Sequence, residues 1–458
     1  MTQEAAVDIQ KFIDTQKFGP YQMMVVGLCA MVVMMDGFDT QAIGYVAPAI
    51  IKSWHISRSA LSPVFSAGLF GLMIGALSFG PVADRFGRKP VLVVCTLFFG
   101  IFSFLTATAD SMQSLLVFRF LTGLGLGGAL PNTIAMTSEY APARIRHTVT
   151  MLMFAGFSIG AALGGVAAAS LISRFGWQSV FVLGGIMPAV GFLVVLVLAP
   201  ESLRFLAHKG GRNEKIIAIL AKVAPGVRLD PRTVFIADEH KSEGFPVAHL
   251  FTNGRALLTL LLWIVFFMSL FDMYFLSSWL PTVIHDSGVA VNYAILITAM
   301  FQVGGSVGPL ILGRLFDRFS PFRVLSLTYV GASVMIYLIG SAGTSVEMLF
   351  VTVFGAGIFL VGAQGGANAL SAGLYPTSVR STGIGWALGI GRIGSIIGPI
   401  IGGVLLSRHW DTKQVFMVGA VPVACAAISA LLISLLASQR KTASSPLLDL
   451  SQEPVPLE

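Results

Sequence analysis

The sequence predicts an all-α integral membrane protein whose twelve transmembrane helices form two six-helix bundles. Its 458 residues are 55% hydrophobic and only 11% charged, a composition far outside the range of soluble domains. Apolar runs of about 20 residues or more, the length that crosses a bilayer, recur along the chain. The two halves also share residues at a nearly constant offset, which indicates a duplicated bundle.

Twelve apolar runs are bounded by charged and turn residues, and each predicts a transmembrane helix. They span residues 21–50, 60–83, 90–109, 113–137, 147–172, 178–199, 256–284, 292–315, 323–342, 346–373, 382–406 and 414–437. We divide the chain into an N-terminal segment, a first bundle, a central loop, a second bundle and a tail predicted to be disordered, at 1–20, 21–199, 200–255, 256–438 and 439–458.

Lys and Arg residues concentrate in the loops on one side of the predicted bundles. The N-terminal segment, the 84–90 loop, the central loop and the tail all lie on that side. The positive-inside rule therefore predicts that both termini are cytoplasmic. The first twenty residues lack the pattern of a cleaved signal peptide, so the first apolar run is predicted to remain as a helix.

The composition also argues against several classes of function. The net charge of +7 arises in short loops and not in a basic stripe, so nucleic acid is not an expected partner. Cys29, Cys95 and Cys425 each lie in an apolar run and predict neither a disulfide nor a metal site. No Ser/His/Asp arrangement or metal-ligand cluster is visible, so we expect neither an enzyme nor a cofactor.

An internal repeat relates the two halves. An offset of 233 residues places Asp39 on Asp272 and Asp84 on Asp317, and an offset of 234 places Gly160 on Gly394. These matches fall in the first, second and fifth helices of each half. Two related bundles with a site between them permit alternating access by rocking.

A short basic loop follows the second predicted helix and recurs in degenerate form in the second half. An acidic residue beside cations can form charge-assisted contacts with helix ends, and glycine permits a tight turn. The simpler interpretation is a set of charges that only orient the helices. The residues of this loop and its copy are Gly80, Asp84, Arg85, Gly87, Arg88, Asp317 and Arg318.

The loop resembles the signature loop of the major facilitator superfamily. The glycines at 156–164 resemble its fifth-helix motif, and the stretch 36–39, together with Glu139 and Arg392, is similar to the aromatic acid/proton symporter branch. The resemblance covers about residues 20–437. It implies proton-driven uptake of benzoate-type acids, such as 4-hydroxybenzoate or protocatechuate, with a proton gradient as the energy source.

Two arginines lie inside predicted helices. Arg392 lies about 18 Å deep at 1.5 Å per residue, near the midplane where symporter substrates bind. We predict that it binds the substrate carboxylate through paired hydrogen bonds; a permanent salt bridge to an aspartate is the alternative. Arg119 is predicted to pair with Asp36 or Asp39, with substrate binding and snorkelling as alternatives.

Asp36 and Asp39 interrupt the first predicted helix and share one of its faces. A carboxylate inside a membrane is expensive unless it has a partner or a function. A nearby arginine favours the ionised form, so a substrate that takes the arginine can change the protonation state. At least one is predicted to couple transport to protons, with Asp39 slightly preferred because Asp272 is its repeat partner. An interhelical polar lock is the alternative.

Charged residues at helix ends are candidate gates. Glu139 and Arg144 lie near the cytoplasmic end of the fourth helix, and Arg380 lies at the equivalent place in the second half. We predict salt bridges that form in one conformation only, with ordinary loop charge as the alternative. Asp272 is a further candidate charge partner.

An aromatic acid also requires a flat apolar slot with polar atoms for its ring substituents. The candidate slot residues, each of which packing alone also explains, are Phe38, Tyr45, Tyr274, Phe301 and Trp386. Trp279 is predicted to lie in the interfacial aromatic belt. The candidates to orient a ring hydroxyl, with interhelical hydrogen bonding as the alternative, are Gln302, Gln364 and Asn368.

Together these features predict a secondary transporter for proton-coupled uptake of a small aromatic carboxylate, and the resemblance to the superfamily implies a monomer in a bacterial inner membrane. One alternative is a proton symporter for a non-aromatic acid, such as a muconate-like dicarboxylate or a sugar acid. A dicarboxylate would favour a second binding cation, for which Arg119 is the other intramembrane candidate. A membrane receptor with a transporter fold is a further alternative, against which the signature loop and the intramembrane charges argue.

Overall fold

A computed structural model describes residues 6–209, 212–227, 233–236, 247–252, 254–375, 380–408 and 410–443. Twelve of its helices are long and apolar enough to cross a membrane, which confirms the predicted number. In chain order the elements are β1 (Ala6–Asp8), α1 (Ile9–Thr15), α2 (Pro20–Trp54), α3 (Ser62–Phe86), α4 (Arg88–Thr106), α5 (Met112–Tyr140), α6 (Arg146–Phe175), α7 (Gln178–Leu198), α8 (Leu203–Lys209), α9 (Asn213–Val223), β2 (Val234–Ile236), α10 (Ala256–Asp286), α11 (Val291–Arg318), α12 (Pro321–Ser341), α13 (Val346–Leu374), α14 (Arg380–Ser407) and α15 (Thr412–Ala443).

The helix ends follow from local sequence. Pro20 and Pro321 begin α2 and α12, where a missing backbone N–H costs nothing because the first turn has no partner for it. Gly87 separates α3 from α4 with a φ of 106°, a conformation that favours glycine. A Cβ atom at Gly87 would also collide with the Glu201 side chain, so both the turn and its packing require this residue.

The same helix pairs form in both halves of the chain. In the first half α3 packs on α5, α2 on α6 and α4 on α7. In the second half the equivalent pairs are α11 with α13, α10 with α14 and α12 with α15. The packing therefore repeats as the offset predicts, and two six-helix bundles result.

The two bundles meet mainly at the face opposite the termini, which we call the far face. There Arg58 Nε lies 2.8 Å from Asp286 Oδ2, and the Phe65 ring packs edge-on to Trp279 at 5.0 Å. Deeper in the membrane, α2 crosses α10 where Gly44 faces the Ser277 carbonyl. In the described residues, these contacts close the far face of the interface between the bundles.

The N-terminal segment is attached to the first bundle. β1 pairs in parallel with β2 of the central loop. Arg144 donates from Nη1 to the Asp14 carbonyl at 2.9 Å and from Nη2 to the Gln16 carbonyl at 2.6 Å. Arg144 thus holds the N-terminal segment, whereas the sequence suggested a gate.

The central loop and the tail contain more structure than the sequence suggested. α8, α9 and β2 all lie within the central loop. α15 continues to Ala443, so the first residues of the tail predicted at 439–458 are helical because the last transmembrane helix runs on. Residues 444–458 lie outside the described part of the chain.

Candidate functional site

A buried ion pair joins three helices of the first bundle. Arg119 Nη1 of α5 lies 2.9 Å from Asp39 Oδ2 of α2, and the two side chains are 3% and 1% exposed. Arg119 Nη2 also donates to the Asp39 carbonyl at 3.1 Å. The Ser103 hydroxyl of α4 donates to Asp39 Oδ1 at 2.6 Å. Each carboxylate oxygen therefore has a partner.

Arg119 makes one further contact, in which its guanidinium lies 5.5 Å from the centre of the Phe181 ring of α7. A ring face attracts a cation, and the effect grows when water is excluded. Because a buried charge that loses its partner is strongly destabilised, this arrangement suits a permanent structural pair. The charge of Arg119 is thereby matched by Asp39, while its Nε has no hydrogen-bond partner in the described residues.

Asp36 lies one helical turn from Asp39 but has different surroundings. It is buried, and its Oδ1 accepts a hydrogen bond of 2.9 Å from Thr40 of the same helix. In the described chain no cation lies within salt-bridge distance of it. Asp36 is therefore a buried carboxylate that has a hydroxyl partner but no charged partner in the described residues.

Arg392 lies on α14 and is only partly buried. Its Nη1 donates to the Tyr274 hydroxyl of α10 at 3.3 Å. Within the described residues no carboxylate lies within 4.0 Å of the guanidinium. Because a guanidinium carries five N–H donors, Arg392 retains donors in the geometry that binds a carboxylate in bidentate fashion.

A cavity lies beside these groups, between α2, α3, α5 and α10. Tyr274, the partner of Arg392, lines it, and so does Thr40, the partner of Asp36. Its other lining residues are Ile43, Gly44, Val64, Phe65, Gly68, Leu69, Leu72, Arg119, Gly123, Leu126, Ser277 and Ser278. The cavity thus connects the surroundings of both charged groups with an apolar wall.

Three of the predicted slot residues are packing residues in this conformation. Phe38 is buried against Gly164 and Gly184 of the first bundle. The Tyr45 hydroxyl donates to the Ala161 carbonyl at 2.9 Å. Phe301 is 1% exposed and belongs to the hydrophobic core. Of the predicted aromatic residues, Tyr274 is the one that the structure brings to Arg392.

The two candidate tryptophans lie elsewhere. Trp386 is 44% exposed and stacks on Trp263 at 5.9 Å. Trp279 is fully buried, and its indole N–H donates to the Pro399 carbonyl at 2.8 Å. Trp279 therefore packs between helices near the far face, whereas the sequence predicted an interfacial belt residue. Its position next to Phe65 across the bundle interface accounts for the burial.

The candidate amide side chains form a partial network. Gln364 Nε2 donates to Asn368 Oδ1 at 3.2 Å, one turn away on α13. Gln364 Oε1 is buried without a hydrogen-bond partner in the described residues. Gln302 is buried on α11. The Gln364–Asn368 contact lies within one helix, and no described contact joins these amides to Arg392.

Asp272, the repeat partner of Asp39, is completely buried on α10. In the described chain neither of its oxygens accepts a hydrogen bond of standard geometry, and no cation pairs with it. The main chain at Val423 of α15 lies close to it. The sequence suggested Asp272 as a charge partner, but in the described residues no cation lies within salt-bridge distance of it. Asp272 and Tyr274 are two positions apart on a helix, so they point to nearly opposite sides.

The signature loop packs within the first bundle. Arg88 Nη1 lies 2.8 Å from Glu139 Oε1, and the Ser202 hydroxyl donates to Glu139 Oε2 at 2.7 Å. Glu201 Oε1 accepts the backbone N–H groups of Arg88 and Lys89, which open α4. A carboxylate at a helix N-terminus satisfies the free N–H groups and the helix dipole. Glu139 thus forms no contact between bundles here.

The remaining loop residues are exposed or undescribed. Asp84, Arg85 and Arg318 are exposed, and Gly80 has no neighbour near its missing side chain. The side chains of Asp317 and Arg380 lie outside the described residues. In the rest of the chain, no group of three His, Cys, Asp or Glu side chains is arranged to hold a metal ion.

Sequence reasoning missed several residues of the site. Ser103, Thr40 and Glu201 each bond to a charged group, and Ser277 lines the cavity. Serine and threonine are common in transmembrane helices, where they usually bond their own backbone. Glu201 carried the clearest signal, because an acidic residue directly after an apolar run is rare.

The chain matches the model of the Major Facilitator Superfamily over residues 29–286 and 262–457. It is 42% identical to the 4-hydroxybenzoate transporter PcaK of Pseudomonas aeruginosa over 427 residues, 93% of this chain and 95% of that one. It is 39% identical to the gallate transporter of Pseudomonas putida over 432 residues, with 93% and 95% coverage. The inward open xylose transporter XylE from E. coli superposes with a TM-score of 0.68 at 17% identity, covering 91% of this chain and 96% of that one.

Two related bundles with charged groups buried between them define the class of protein, a multi-pass membrane transporter and not an enzyme. The chain belongs to the major facilitator superfamily and, within it, to the aromatic acid family. The resemblance that the sequence motifs indicated is thereby confirmed.

Proposed function

We propose that the protein is a monomeric proton symporter that imports a small aromatic carboxylate, such as 4-hydroxybenzoate, across a bacterial inner membrane. The observation that carries the proposal is Arg392, a partly buried cation of the second bundle that donates to Tyr274 and pairs with no carboxylate in the described residues. Relatives named as 4-hydroxybenzoate and gallate transporters support the aromatic substrate. Basic loops on the side of the termini support their cytoplasmic location.

The geometry favours Asp36 as the proton-coupling residue, although the sequence slightly favoured Asp39. Asp39 is committed to Arg119 and Ser103, whereas Asp36 has a hydroxyl partner only. Because burial without a counter-charge favours the protonated form of a carboxylate, Asp36 can hold a proton while the substrate carboxylate occupies Arg392. Anion and proton then bind together, as symport requires.

The ion pair between Arg119 and Asp39 also bears on the choice between the alternative substrates. A dicarboxylate requires a second binding cation, and Arg119 already satisfies Asp39. Arg392 is then the described intramembrane arginine whose charge is not already paired, and one such cation favours a monocarboxylate.

Alternating access would move the bundles about their contact. With both termini in the cytoplasm, closure of the far face by Arg58–Asp286 and Phe65–Trp279 corresponds to an inward-facing conformation. Release of these contacts, together with closure at the termini, would expose Arg392 and Asp36 to the outside.

The direct test is uptake of labelled 4-hydroxybenzoate into proteoliposomes with an imposed inward proton gradient. We expect concentrative uptake that disappears when a protonophore collapses the gradient. Uptake that ignores the gradient would contradict symport, and absence of any aromatic acid uptake would contradict the substrate class.

The site assignment is tested with Arg392→Ala and Asp36→Asn. We expect Arg392→Ala to bind 4-hydroxybenzoate at least about 100-fold more weakly, because a buried charge-assisted pair is lost. Asp36→Asn should retain exchange of internal for external substrate but lose gradient-driven accumulation. Unaltered binding in the first variant, or normal accumulation in the second, would refute the corresponding role. Arg408→Ala, outside the site near the far face, is the matched control for loss of an arginine.

A further inference from the structure

The hydroxyl group that binds Asp36 lies on the side of the far face. α2 runs from the side of the termini to the far face, and Thr40 follows Asp36 by four residues, about 6 Å further along the helix. The Thr40 hydroxyl donates to Asp36 Oδ1 at 2.9 Å. This hydroxyl therefore lies between the carboxylate and the side from which an imported proton arrives.

Thr40 also lines the cavity between α2, α3, α5 and α10. The lining residues of α3, α5 and α10 come from the half of each helix that is nearer the far face, down to Leu126 at the middle of α5. Phe65 lines the cavity and also packs against Trp279 where the far face is closed. The cavity thus lies between Asp36 and the closed far face.

The volume of the cavity is that of a water molecule and not of a larger ligand. It measures about 20 Å³, and one water molecule requires roughly 10–15 Å³ on the same measure. A single water therefore fits in a space that Thr40 lines. A threonine hydroxyl has one donor and two acceptor lone pairs, so Thr40 can accept a hydrogen bond from this water while it donates to Asp36.

Two other ionisable side chains line the cavity. Arg119 is one of them, and its charge is matched by Asp39, so the pair presents little net charge to a proton. Tyr274 is the other, and it accepts a hydrogen bond from Arg392. Among the described lining residues, Thr40 is the one that donates to a carboxylate without a charged partner.

We propose that the Thr40 hydroxyl relays protons from water on the side of the far face to Asp36. An excess proton on a water in the cavity passes to Thr40 Oγ1 while the hydroxyl proton of Thr40 passes to Asp36 Oδ1. The water and the threonine end neutral, and Asp36 becomes a neutral carboxylic acid. The inference rests on the proposed function and deepens it, because it names the residue through which the coupling carboxylate receives its proton.

The experiment compares Thr40→Val, which keeps the branched shape without the hydroxyl, with Thr40→Ser, which keeps a hydroxyl. In proteoliposomes with an inward proton gradient, Thr40→Val should slow 4-hydroxybenzoate uptake by at least about tenfold, since positioned proton transfer contributes at least that factor. Thr40→Ser should recover most of the wild-type rate. Exchange of internal for external substrate should persist in Thr40→Val, because a carrier that keeps its proton can still exchange substrate.

The pH profile separates a relay from a structural hydrogen bond. If the Thr40 hydroxyl only held the ionised carboxylate, its removal would shift the pH dependence of uptake and leave the maximal rate unchanged. A relay instead requires the maximal rate itself to fall. Retained exchange shows that the variant is folded. If valine prevents folding, Thr40→Cys, whose thiol is a weak donor, takes its place with the same expected loss.

The matched control is Thr96→Val. Thr96 is a buried threonine of the same bundle, and its hydroxyl donates to the Leu92 carbonyl of its own helix. Its replacement should leave the maximal rate of gradient-driven uptake at the wild-type value.

The outcomes separate this inference from the proposed function. If the wild-type protein accumulates no 4-hydroxybenzoate under the gradient, the proposed function fails. If Asp36→Asn loses accumulation while Thr40→Val keeps the wild-type maximal rate, the relay fails alone. Equal slowing of uptake and exchange in Thr40→Val, or a loss in Thr40→Ser as large as in Thr40→Val, would also overturn the relay.

Discussion

Asp39 and Asp272 occupy equivalent positions in the two repeats, yet in the described chain only Asp39 has side-chain partners. Asp39 is bound by Arg119 and Ser103 from neighbouring helices. Asp272 is completely buried, and the main chain at Val423 lies close to it. Since an ionised carboxylate without a partner is very costly in such surroundings, the two aspartates contribute to their bundles in different ways.

The difference between the two aspartates lies in the residues that occupy equivalent positions around them. The offset that relates Asp39 to Asp272 places Thr352 at the position of Arg119 and Ile336 at the position of Ser103. Thr352 bonds only within its own helix, and Ile336 is part of the apolar core. The two repeats therefore share the carboxylate but not its partners. The comparison teaches that equivalent positions in a repeat can share a backbone location without sharing a chemical role.

The largest effect is expected when Arg119, the cation that pairs with Asp39, is removed. Arg119→Met leaves Asp39 buried and without its counter-charge, which should lower the free energy of unfolding by about 3–5 kcal/mol. Unfolding in mixed micelles measures this change. Thr352→Val, at the equivalent position of the second bundle, is the control and should change the free energy little. Equal effects of the two variants would show that the bundles do not differ as we describe.

A smaller effect is expected from removing the Ser103 hydroxyl, which also binds Asp39. Ser103→Ala removes one hydrogen bond to a charged oxygen and keeps the ion pair, so it should cost about 2 kcal/mol. The same unfolding measurement applies. A loss as large as that of Arg119→Met would mean that Ser103, and not the arginine, holds Asp39 in place.

The smallest effect is expected from changing Asp272, the aspartate without side-chain partners in the described residues. Asp272→Asn preserves the shape of a side chain to which no described cation or hydroxyl is bonded. The free energy of unfolding should change by less than about 1 kcal/mol, and gradient-driven uptake should persist. Loss of accumulation with retained exchange would instead give Asp272 a part in proton coupling.

The sequence was sufficient to predict the architecture, because twelve apolar spans and a basic side follow from the bilayer itself. Intramembrane charges were also visible, since few residue types are so expensive to bury. Arg119 had two candidate partners three residues apart, and the structure pairs it with Asp39. A one-dimensional sequence cannot choose between them, because the choice depends on how α5 is rotated against α2.

The lining of the cavity was harder to predict. The aromatic residues Phe38, Tyr45 and Phe301 are packing residues, and the apolar part of the cavity wall is formed largely by aliphatic side chains. Aliphatic residues occur throughout every transmembrane helix, so none of them marks a site.

The close contact between α2 and α6 limits how Asp36 can move. Gly37 faces the main-chain carbonyl of Phe157, with no room for a Cβ atom between the helices. Main-chain surfaces in such contact cannot slide past each other by one residue without collision. The two helices therefore form one rigid unit, and α2 also meets α10 where Gly44 lies against the Ser277 carbonyl. Any change in the position of Asp36 relative to the second bundle thus requires α6 to move together with α2.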